Sequence, residues 1–388
     1  MKKKLLAFSA IRSDYDLLSQ VYKLLNKDKG IQLKIIVSGA HLSRKYGYTV
    51  TDIEKDKLDI LAKIKTLSNF DDKTTRLKSA SILFQKSIDI VKNYNPDLII
   101  YAGDREEVMV ASIIAGYLEI PTLHFFGGDH VKDSHIDNPI RHATSKLSSA
   151  HIVSHREHYQ RLLEMGEEKK RIFNIGSVAL DKFTNETIIS KKKIKKYFGI
   201  KNGFNRFALL IFHPIPEERQ ELENIFENIL LTLKQKNINT FVSYPNIDYK
   251  NSKIINLIKK YKYDKNFYFY KSLERKIFLS IYKNAEFIIG NSSSGILESA
   301  SIPIPAINVG FRQKGRRANN NVLFVDKQKS NIKKGIEKIF SKKFQNKYKS
   351  AKNIYGDGKS SLKAYKLIKN INFRKLVYKN EDILKIKK

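Results

Sequence analysis

Three consecutive serines followed by a carboxylate form the pattern in this chain that points most directly to chemistry. Ser292, Ser293 and Ser294 lie in a GNSSSG turn after the apolar run 287–289, and serine is a preferred cap for the start of a helix. Hydroxyls and free backbone N–H groups at a helix start bind phosphate, and Glu298 just inside the helix can accept hydrogen bonds from ribose hydroxyls. The turn alone is equally consistent with a connection that binds nothing.

A basic cluster after the next apolar run favours nucleotide binding. Residues 306–309 are an expected strand, and Arg312, Gln313 and Arg316 follow it in an FRQKGR sequence. This positive charge, added to the serines and Glu298, makes a nucleotide site the better interpretation.

Carboxylates that follow apolar runs in the first half of the chain indicate acid–base chemistry. Asp104 follows the run 97–102, Asp129 follows 121–126, and Asp137 comes shortly after. A single loop aspartate is most often a turn or cap residue, so the inference depends on their shared position. The other side chains expected in the same cleft are Arg12, Arg141 and His213. The sequence thus predicts proton transfer on one domain and nucleotide anchoring on the other.

Strands that alternate with helices should position these residues. In the first half, strands are expected at 4–10, 34–38, 97–102, 121–126 and 151–154, with 55–93 mostly helical and a capping box of Ser13 and Asp16 before the first helix. The pattern restarts after a Lys-rich stretch, with strands expected at 206–212, 239–244, 267–270, 287–289 and 306–309 and a helix at 217–236. This alternation predicts two doubly wound parallel sheets whose strand ends line a ligand cleft.

We therefore expect three parts. An N-terminal Rossmann-like domain at 1–180 carries the carboxylates, a C-terminal nucleotide-binding Rossmann-like domain spans 181–345, and a helical tail occupies 346–388. Leu362, Tyr365 and Ile368 repeat at helical spacing, which predicts that the tail packs on the domains.

The composition excludes several kinds of site. The chain has no Cys, which excludes disulfides, Cys-ligated zinc and a thiol nucleophile and makes the cytoplasm the expected location. The first apolar run is too short for a signal peptide, and no run approaches the ~20 residues of a membrane span. The net charge of +34 comes from Lys spread along the whole chain, which predicts a solvated surface and neither nucleic acid nor membrane as partner.

Eight motifs occur in the order and approximate spacing of the hydrolysing UDP-N-acetylglucosamine 2-epimerases. They are SAIRSDYD, GDREE, HFFGGD, IDNPIRHATSKLS, FNIGS, FHP, GNSSSGILE and FRQKGR, and the resemblance runs from about residue 4 to 325. It implies an α/β fold of two Rossmann-like domains in a glycosyltransferase-B-like arrangement, with the sugar nucleotide between them and a C-terminal helix crossing back to the first. We also expect a homo-oligomer, a dimer or tetramer.

The reaction implied by the resemblance converts UDP-N-acetylglucosamine into UDP and N-acetylmannosamine, a precursor of sialic acid. Elimination to a glycal and rehydration with inversion at C2 requires a base and a proton donor on opposite faces of the sugar, and neither a metal nor a redox cofactor. Asp104 and Asp137 match carboxylates that the family uses for this work, and Arg12 and His213 match positions beside the diphosphate. The remaining matches are Ser292, Ser293, Ser294 and Glu298 in the nucleotide site and Arg312, Gln313 and Arg316 in its wall.

Departures from the family pattern leave the substrate open. Phe126 stands where several members carry a catalytic glutamate, Asp129 fills the acidic position after the glycines, and Asn138 stands where a second acid is common. An aromatic wall of Phe125 and Phe126 would suit a sugar with extra acyl groups, so GDP-N,N'-diacetylbacillosamine, used for legionaminic acid, is the alternative substrate.

Two other classes of protein are also considered. A sugar transferase on the same scaffold is disfavoured by the three carboxylates and the RQKGR match. A basic nucleic-acid-binding protein rests on charge alone, because the sequence lacks an aromatic and basic motif of the kind found in RNA-binding sheets.

Overall fold

The computed structural model describes residues 2–67, 73–131, 136–201, 203–215, 218, 220–245, 251–349 and 352–380. Its residues separate into two compact units. The first comprises the described residues within Met1–His130, His135–Lys182 and Tyr355–Lys388, and the second those within Val131–Ser134 and Phe183–Ile354.

The chain alternates between strands and helices along most of its length. The strands are β1 Lys3–Ser9, β2 Ile31–Ser38, β3 Asp59–Ile64, β4 Leu98–Ala102, β5 Thr122–Phe125, β6 Ala150–Val153, β7 Ile172–Asn174, β8 Phe207–Ile211, β9 Asn239–Ser243, β10 Phe267–Tyr270, β11 Phe287–Gly290, β12 Ala306–Val309 and β13 Val322–Val325. The helices are α1 Arg12–Lys27, α2 Val50–Lys55, α3 Lys73–Tyr94, α4 Glu106–Tyr117, α5 Asp137–Leu147, α6 Arg156–Glu164, α7 Lys182–Asn185, α8 Lys191–Tyr197, α9 Leu222–Gln235, α10 Asn251–Tyr261, α11 Arg275–Asn284, α12 Ser294–Leu297, α13 Lys329–Ile339, α14 Lys342–Lys349 and α15 Ser360–Asn370.

The described residues of the first unit form a seven-stranded parallel sheet in the order β3-β2-β1-β4-β5-β6-β7. The strand order reverses between β1 and β4, which pair directly through Leu5 to Ala7. In open parallel sheets the crevice outside the carboxyl ends of the strands at such a reversal is the usual ligand site. The turns after β1 and β4 carry Arg12 and Asp104, so this topology brings two predicted residues to one edge.

The described residues of the second unit form a six-stranded parallel sheet in the order β10-β9-β8-β11-β12-β13. Its central strands β8 and β11 are buried along their length because helices pack on both faces. Apolar runs without alternation are typical of strands covered on both sides. The two sheets confirm the predicted α/β class with two Rossmann-like domains.

The tail helix α15 packs on α1 of the first unit. Ala364 and Ile368 are buried there, while Leu362 is 48% exposed, so only part of the predicted apolar stripe is covered. The carboxylate of Asp181 accepts hydrogen bonds from the backbone N–H groups of Ser360 and Ser361 at 3.1 and 2.7 Å, which satisfies two free donors at the helix start. The expected return of a C-terminal helix to the first domain is confirmed.

Three local predictions were wrong. Residues 59–64, predicted as helix, form the edge strand β3, which is only partly covered and therefore needs few apolar residues. The first helix is not capped by Ser13 and Asp16, because Asp14 accepts from the backbone N–H of Ile11 at 3.2 Å. The helix predicted at 217–236 begins at Leu222, and residue 217 lies outside the described residues.

Within the described ranges, none of the helices combines the length and the apolar character needed to cross a membrane.

Candidate active site

Asp104 lies in the turn after β4, where a buried arginine holds its carboxylate. Nη2 of Arg141 donates to Oδ2 of Asp104. Arg141 is 3% exposed, whereas 27% of the Asp104 side chain is exposed, so the carboxylate is oriented from the protein side and open on the other. A carboxylate held in this way can exchange a proton with a bound molecule.

Helix α5 brings other predicted residues to the same place. Nη1 of Arg141 donates to the backbone carbonyl of Asp129 at 2.9 Å and lies 3.4 Å from Oδ1 of Asn138. Asp137 is the first residue of α5, four positions before Arg141, and residues four apart share a helix face. Direct contacts therefore join Arg141 to Asp104, Asp129 and Asn138, while Asp137 lies one helical turn from Arg141.

Asp129 is buried and supports the loop after β5. Its Oδ1 accepts from the backbone N–H of His130 at 2.8 Å and lies 3.3 Å from Nε2 of His158. With 5% of its surface exposed, it is far less accessible than Asp104. Of the two carboxylates, Asp104 is the better placed to meet a substrate.

The glycine pair after Phe126 is required by close packing. A Cβ on Gly128, which has φ of +71°, would lie 2.2 Å from the carbonyl oxygen of His158. Phe126 itself has φ of +66°, an unusual conformation for a bulky residue. Phe125 is fully buried in β5, so the predicted two-residue aromatic wall is wrong and only the half-buried Phe126 can contact a ligand.

Arg12 is the first residue of α1, and its Nε lies 3.5 Å from Oδ2 of Asp52. The turn before it is fixed by Asp14, which accepts from Ser9 Oγ at 2.5 Å and from the backbone N–H of Ala10 at 2.9 Å. Asp14 was not among the residues predicted from the sequence. The feature that could have identified it is a carboxylate three residues after the N-cap, a pattern typical of helix starts.

Alternating charges after Asp104 form a second cluster that the sequence analysis left aside. Arg105 lies 3.4 Å from Glu106 and 3.3 Å from Glu107, and Arg76 also donates to Glu106 at 3.0 Å. Burial and the neighbouring Glu106 raise the pKa of Glu107 to about 7. Burial opposes ionisation of Glu106 too, but Arg105 and Arg76 outweigh it and lower the pKa of Glu106 to about 2. Arg105 is thereby fixed beside Asp104.

In the second unit, Asn291 organises the turn after β11. Its Oδ1 accepts from the backbone N–H of His213 at 2.8 Å, and its Nδ2 donates to the His213 carbonyl at 2.8 Å. The Asn291 carbonyl accepts from Arg312 at 3.2 Å and from Gln313 at 3.1 Å, and Arg316 donates to Gln313 at 2.7 Å. The structure thus brings His213 and the basic cluster together around one asparagine. Gln313 is buried and supports this turn.

The serine turn differs in one respect from its prediction. Helix α12 has only four residues, and its N-cap Ser293 makes no side-chain capping hydrogen bond. A helix this short has a weak dipole, so hydroxyls must contribute most of any anion binding here. Ser294 Oγ donates to Oε2 of Glu298 at 2.8 Å, and the backbone N–H of Ser294 donates to Ser292 Oγ at 3.3 Å. The three serine side chains are partly exposed.

A small cavity lies at the carboxyl ends of β8, β11 and β12. Ile211, Gly290, Ser292 and Asn308 contribute to its lining. Gly290 must be glycine, since a Cβ would lie 2.0 Å from the Ile211 carbonyl oxygen. Asn308 is 3% exposed, and within the described part of the chain its Oδ1 has no hydrogen-bond partner. A buried acceptor of this kind can bind a water molecule or a ligand donor.

The sequence has clear relatives among characterised families. The family model described as UDP-N-acetylglucosamine 2-epimerase matches residues 23–369. The chain is 35% identical to the GDP/UDP-N,N'-diacetylbacillosamine 2-epimerase (hydrolyzing) of Campylobacter jejuni, over 98% of both chains. It is 32% identical to the UDP-N,N'-diacetylbacillosamine 2-epimerase (hydrolyzing) of Legionella pneumophila, over 96% of this chain and 97% of the other.

The fold agrees with this relationship. The crystal structure of UDP-GlcNAc 2-epimerase from Neisseria meningitidis bound to UDP-GlcNAc superposes with a TM-score of 0.79 at 18% identity, covering 95% of this chain and 100% of the other. At that identity the likeness establishes the shared fold, and the family match rests on the sequence. The chain belongs to the UDP-N-acetylglucosamine 2-epimerase family.

Proposed function

We propose that the protein is a hydrolysing 2-epimerase of a nucleotide-linked 2-acetamido sugar. The proton on C2 leaves to a base while the bond from C1 to the diphosphate oxygen breaks, which gives a 2-acetamidoglycal and free nucleoside diphosphate. Water then adds across the double bond, with the hydroxyl on C1 and a proton on the opposite face of C2. The product is the free sugar with inverted C2, and the balance requires one water and no electron transfer.

The observation that carries the proposal is the Asp104–Arg141 pair at the carboxyl end of β4. Arg141 orients a partly exposed carboxylate without covering it, which suits Asp104 to the proton transfer at C2. Asp137 and Asp129 are proposed to serve the opposite face, Asp137 directly and Asp129 through the loop that it holds.

We propose that the second unit binds the nucleotide. Its support is the group of half-exposed hydroxyls and positive charge around Asn291. Glu298 would accept hydrogen bonds from the ribose, while Arg312 and Arg316 would face the phosphates and Arg12 and His213 would stabilise the leaving diphosphate.

Two sugars are candidates. UDP-N-acetylglucosamine would give N-acetylmannosamine and UDP, as the motif resemblance implies. The relatives from Campylobacter jejuni and Legionella pneumophila are both named for N,N'-diacetylbacillosamine, which gives that sugar the stronger support. The half-buried Phe126 ring, in place of a carboxylate, also suits a sugar with an additional acyl group.

A comparison of substrates in deuterated water tests the proposal. UDP-N-acetylglucosamine and the UDP- and GDP-linked N,N'-diacetylbacillosamines are each incubated with the protein, and nucleoside diphosphate, free sugar and deuterium at C2 are measured. We expect equal release of nucleotide and of sugar labelled at C2. Release of nucleotide without label at C2, or transfer of the sugar to an acceptor other than water, would exclude an epimerase.

A pair of variants tests whether Asp104 carries out the proton transfer. Asp104→Asn should abolish turnover while UDP or GDP still binds, because Asn keeps an oxygen for Arg141 but cannot take a proton. Asp89→Asn is the matched control, since Asp89 is an exposed residue of α3 away from the β4 turn. Near-normal turnover in Asp104→Asn would assign the base to another carboxylate.

We also propose that the protein is a homo-oligomer, a dimer or tetramer. Sedimentation equilibrium at micromolar concentration tests this, and a single species of 44.9 kDa would contradict it.

A further inference from the structure

We propose that His124 is a positioning residue for Asp104, acting on the peptide group that joins Gly103 to Asp104. This inference rests on the proposed function. His124 is fully buried in β5. Its Nε2 lies 2.8 Å from the carbonyl oxygen of Gly103, and its Nδ1 lies 3.1 Å from Oγ of Ser145. One ring therefore contacts both the turn that carries Asp104 and the helix that carries Arg141.

The partners of the ring define its tautomer. A carbonyl oxygen can only accept, so the proton lies on Nε2 and is donated to Gly103. Burial lowers the pKa of His124 to about 3, so the ring is neutral and Nδ1 carries no proton. Nδ1 can then accept a hydrogen bond from the Ser145 hydroxyl. Ser145 Oγ also lies 2.9 Å from the Arg141 carbonyl, but a hydroxyl has a single proton and Nδ1 has no other donor among the described residues.

Gly103 needs such a restraint because glycine can adopt many backbone conformations at low cost. Its φ of +93° is accessible to glycine at low cost, and among the described residues, apart from its two chain neighbours, no heavy atom lies within 4 Å of where a Cβ would be. Two hydrogen bonds fix its peptide groups: its N–H donates to the Phe125 carbonyl at 3.1 Å, and its carbonyl accepts from His124. Loss of the second bond would free the peptide that precedes Asp104 to rotate.

The surroundings keep the ring in place. A Cβ on Gly127 would lie 3.3 Å from Nδ1 of His124 and 3.1 Å from Oγ of Ser145, so the first of the paired glycines leaves the space that this contact occupies. On another side lies the buried ring of His151, with its centroid 6.4 Å from that of His124. Nε2 of His151 is held by Glu167 at 3.0 Å.

The same ring also connects to the partner of the Asp104 carboxylate. Ser145 lies one helical turn after Arg141 on α5, so the contact between His124 and Ser145 fixes α5 relative to the turn after β4. Asp104 is thus restrained at its backbone by His124 and at its carboxylate by Arg141. A displacement of about 1 Å at a reacting group can cost on the order of 100-fold in rate.

Replacement of His124 by Gln and by Asn tests the hydrogen bond to the Gly103 carbonyl. In His124→Gln the amide nitrogen takes the place of Nε2 and can still donate to Gly103, whereas in His124→Asn it is too short to reach that carbonyl. We expect kcat of the Gln variant within about threefold of the wild type, and kcat of the Asn variant lower by on the order of 100-fold. KM should change by less than about threefold in both, because most of the nucleotide contacts are proposed to lie in the second unit.

The thermal unfolding midpoint and the ring tautomer provide readouts that do not depend on activity. A purely structural role would lower the midpoint and kcat of both variants together, and that result would overturn the proposal. The 15N shifts of selectively labelled histidine, assigned by the loss of one signal in His124→Gln, should report the Nε2–H tautomer; an Nδ1–H ring would also overturn it.

The assay separates this inference from the proposed function. Failure of the wild type to release labelled sugar from any of the substrates would reject the epimerase assignment. A wild type that is active beside an equally active Asn variant would reject the role of His124 alone.

Discussion

Lys379 offers a direct test of how the tail stabilises the first unit. Its ammonium group donates to the carboxylate of Glu167 at 2.8 Å and to the carbonyls of Lys146 and Ser148 at 2.7 and 3.1 Å. Glu167 is fully buried, and His151 lies 3.0 Å from its other oxygen. Replacement by Met keeps most of the length of the side chain and removes the charge, so Lys379→Met leaves a buried carboxylate with fewer partners.

The magnitude follows from the remaining contacts. Removal of one partner of a buried ion pair costs about 3–5 kcal/mol. Glu167 keeps His151 at 3.0 Å and Lys146 at 3.0 Å, so we expect a loss at or just below the lower end of this range, about 2–3 kcal/mol. For a unit of this size that corresponds to a fall of about 5–10 °C in its unfolding midpoint.

The loss should depend on pH in a defined direction. Burial opposes ionisation of Glu167, but His151 and Lys379 outweigh it and lower the pKa of Glu167 from 4.5 to about 2. A lowered pKa contributes stability that is present above the unfolded value of 4.5 and is lost as pH falls from 4.5 to 2. The difference in stability between the wild type and Lys379→Met should therefore be largest near pH 7 and shrink across this window.

Urea unfolding followed by circular dichroism at several pH values measures both effects. Lys375→Met is the matched control, because Lys375 lies in the same tail and is exposed, and it should change stability by less than about 0.5 kcal/mol. A Lys379→Met variant as stable as this control at pH 7 would refute the reasoning. So would a loss of the same size at pH 3 and pH 7.

Three further variants test other parts of the structure. Burial raises the pKa of Glu107 to about 7, so ionisation of this group lowers the stability of the protein as pH rises from 4.5 to 7. In Glu107→Gln this loss of stability should be smaller, as measured by urea midpoints at pH 5 and 8. Gly290→Ala should cost about 2–3 kcal/mol in urea unfolding, because its Cβ would overlap the Ile211 carbonyl, whereas Gly116→Ala in an open helical position should gain up to about 1 kcal/mol. Glu298→Ala should weaken UDP binding about 10- to 100-fold in calorimetry, and unchanged affinity would remove Glu298 from the nucleotide site.

Most strands of both sheets could be predicted, because buried strands have apolar sequences; the edge strands β3, β7 and β13 were not predicted. Runs such as 97–102 and 287–289 are apolar throughout, as expected for strands covered on both faces. Edge strand β3 was not predicted as a strand, because it is partly exposed and carries polar residues that interrupt its apolar pattern. The length of α12 could not be predicted from the local sequence either. Serine residues indicate where a helix can start, but tertiary contacts determine where it ends.

The candidate site was predictable only in part. Asp104, His213 and Arg312 could be predicted because they are polar residues that follow strands. The carboxyl ends of parallel strands lie at one edge of a sheet, where ligands bind. The pairing of Asp104 with Arg141 depends on how α5 packs, which no local pattern encodes. The role of His124 could not be predicted for the same reason. A single histidine within an apolar strand is not part of any recognisable spacing pattern, and its partners come from two other elements.

The first unit is built from segments that the ribosome makes far apart in time. The apolar face of α1 emerges early, but α15, which covers part of it, is translated only after the whole second unit. At ~5–20 residues per second, synthesis of residues 183–354 takes roughly 10–30 s. During that interval the nascent first unit lacks the helix whose Ala364 and Ile368 complete its apolar core. The core of the first unit can be completed only after α15 has been synthesised and has left the exit tunnel.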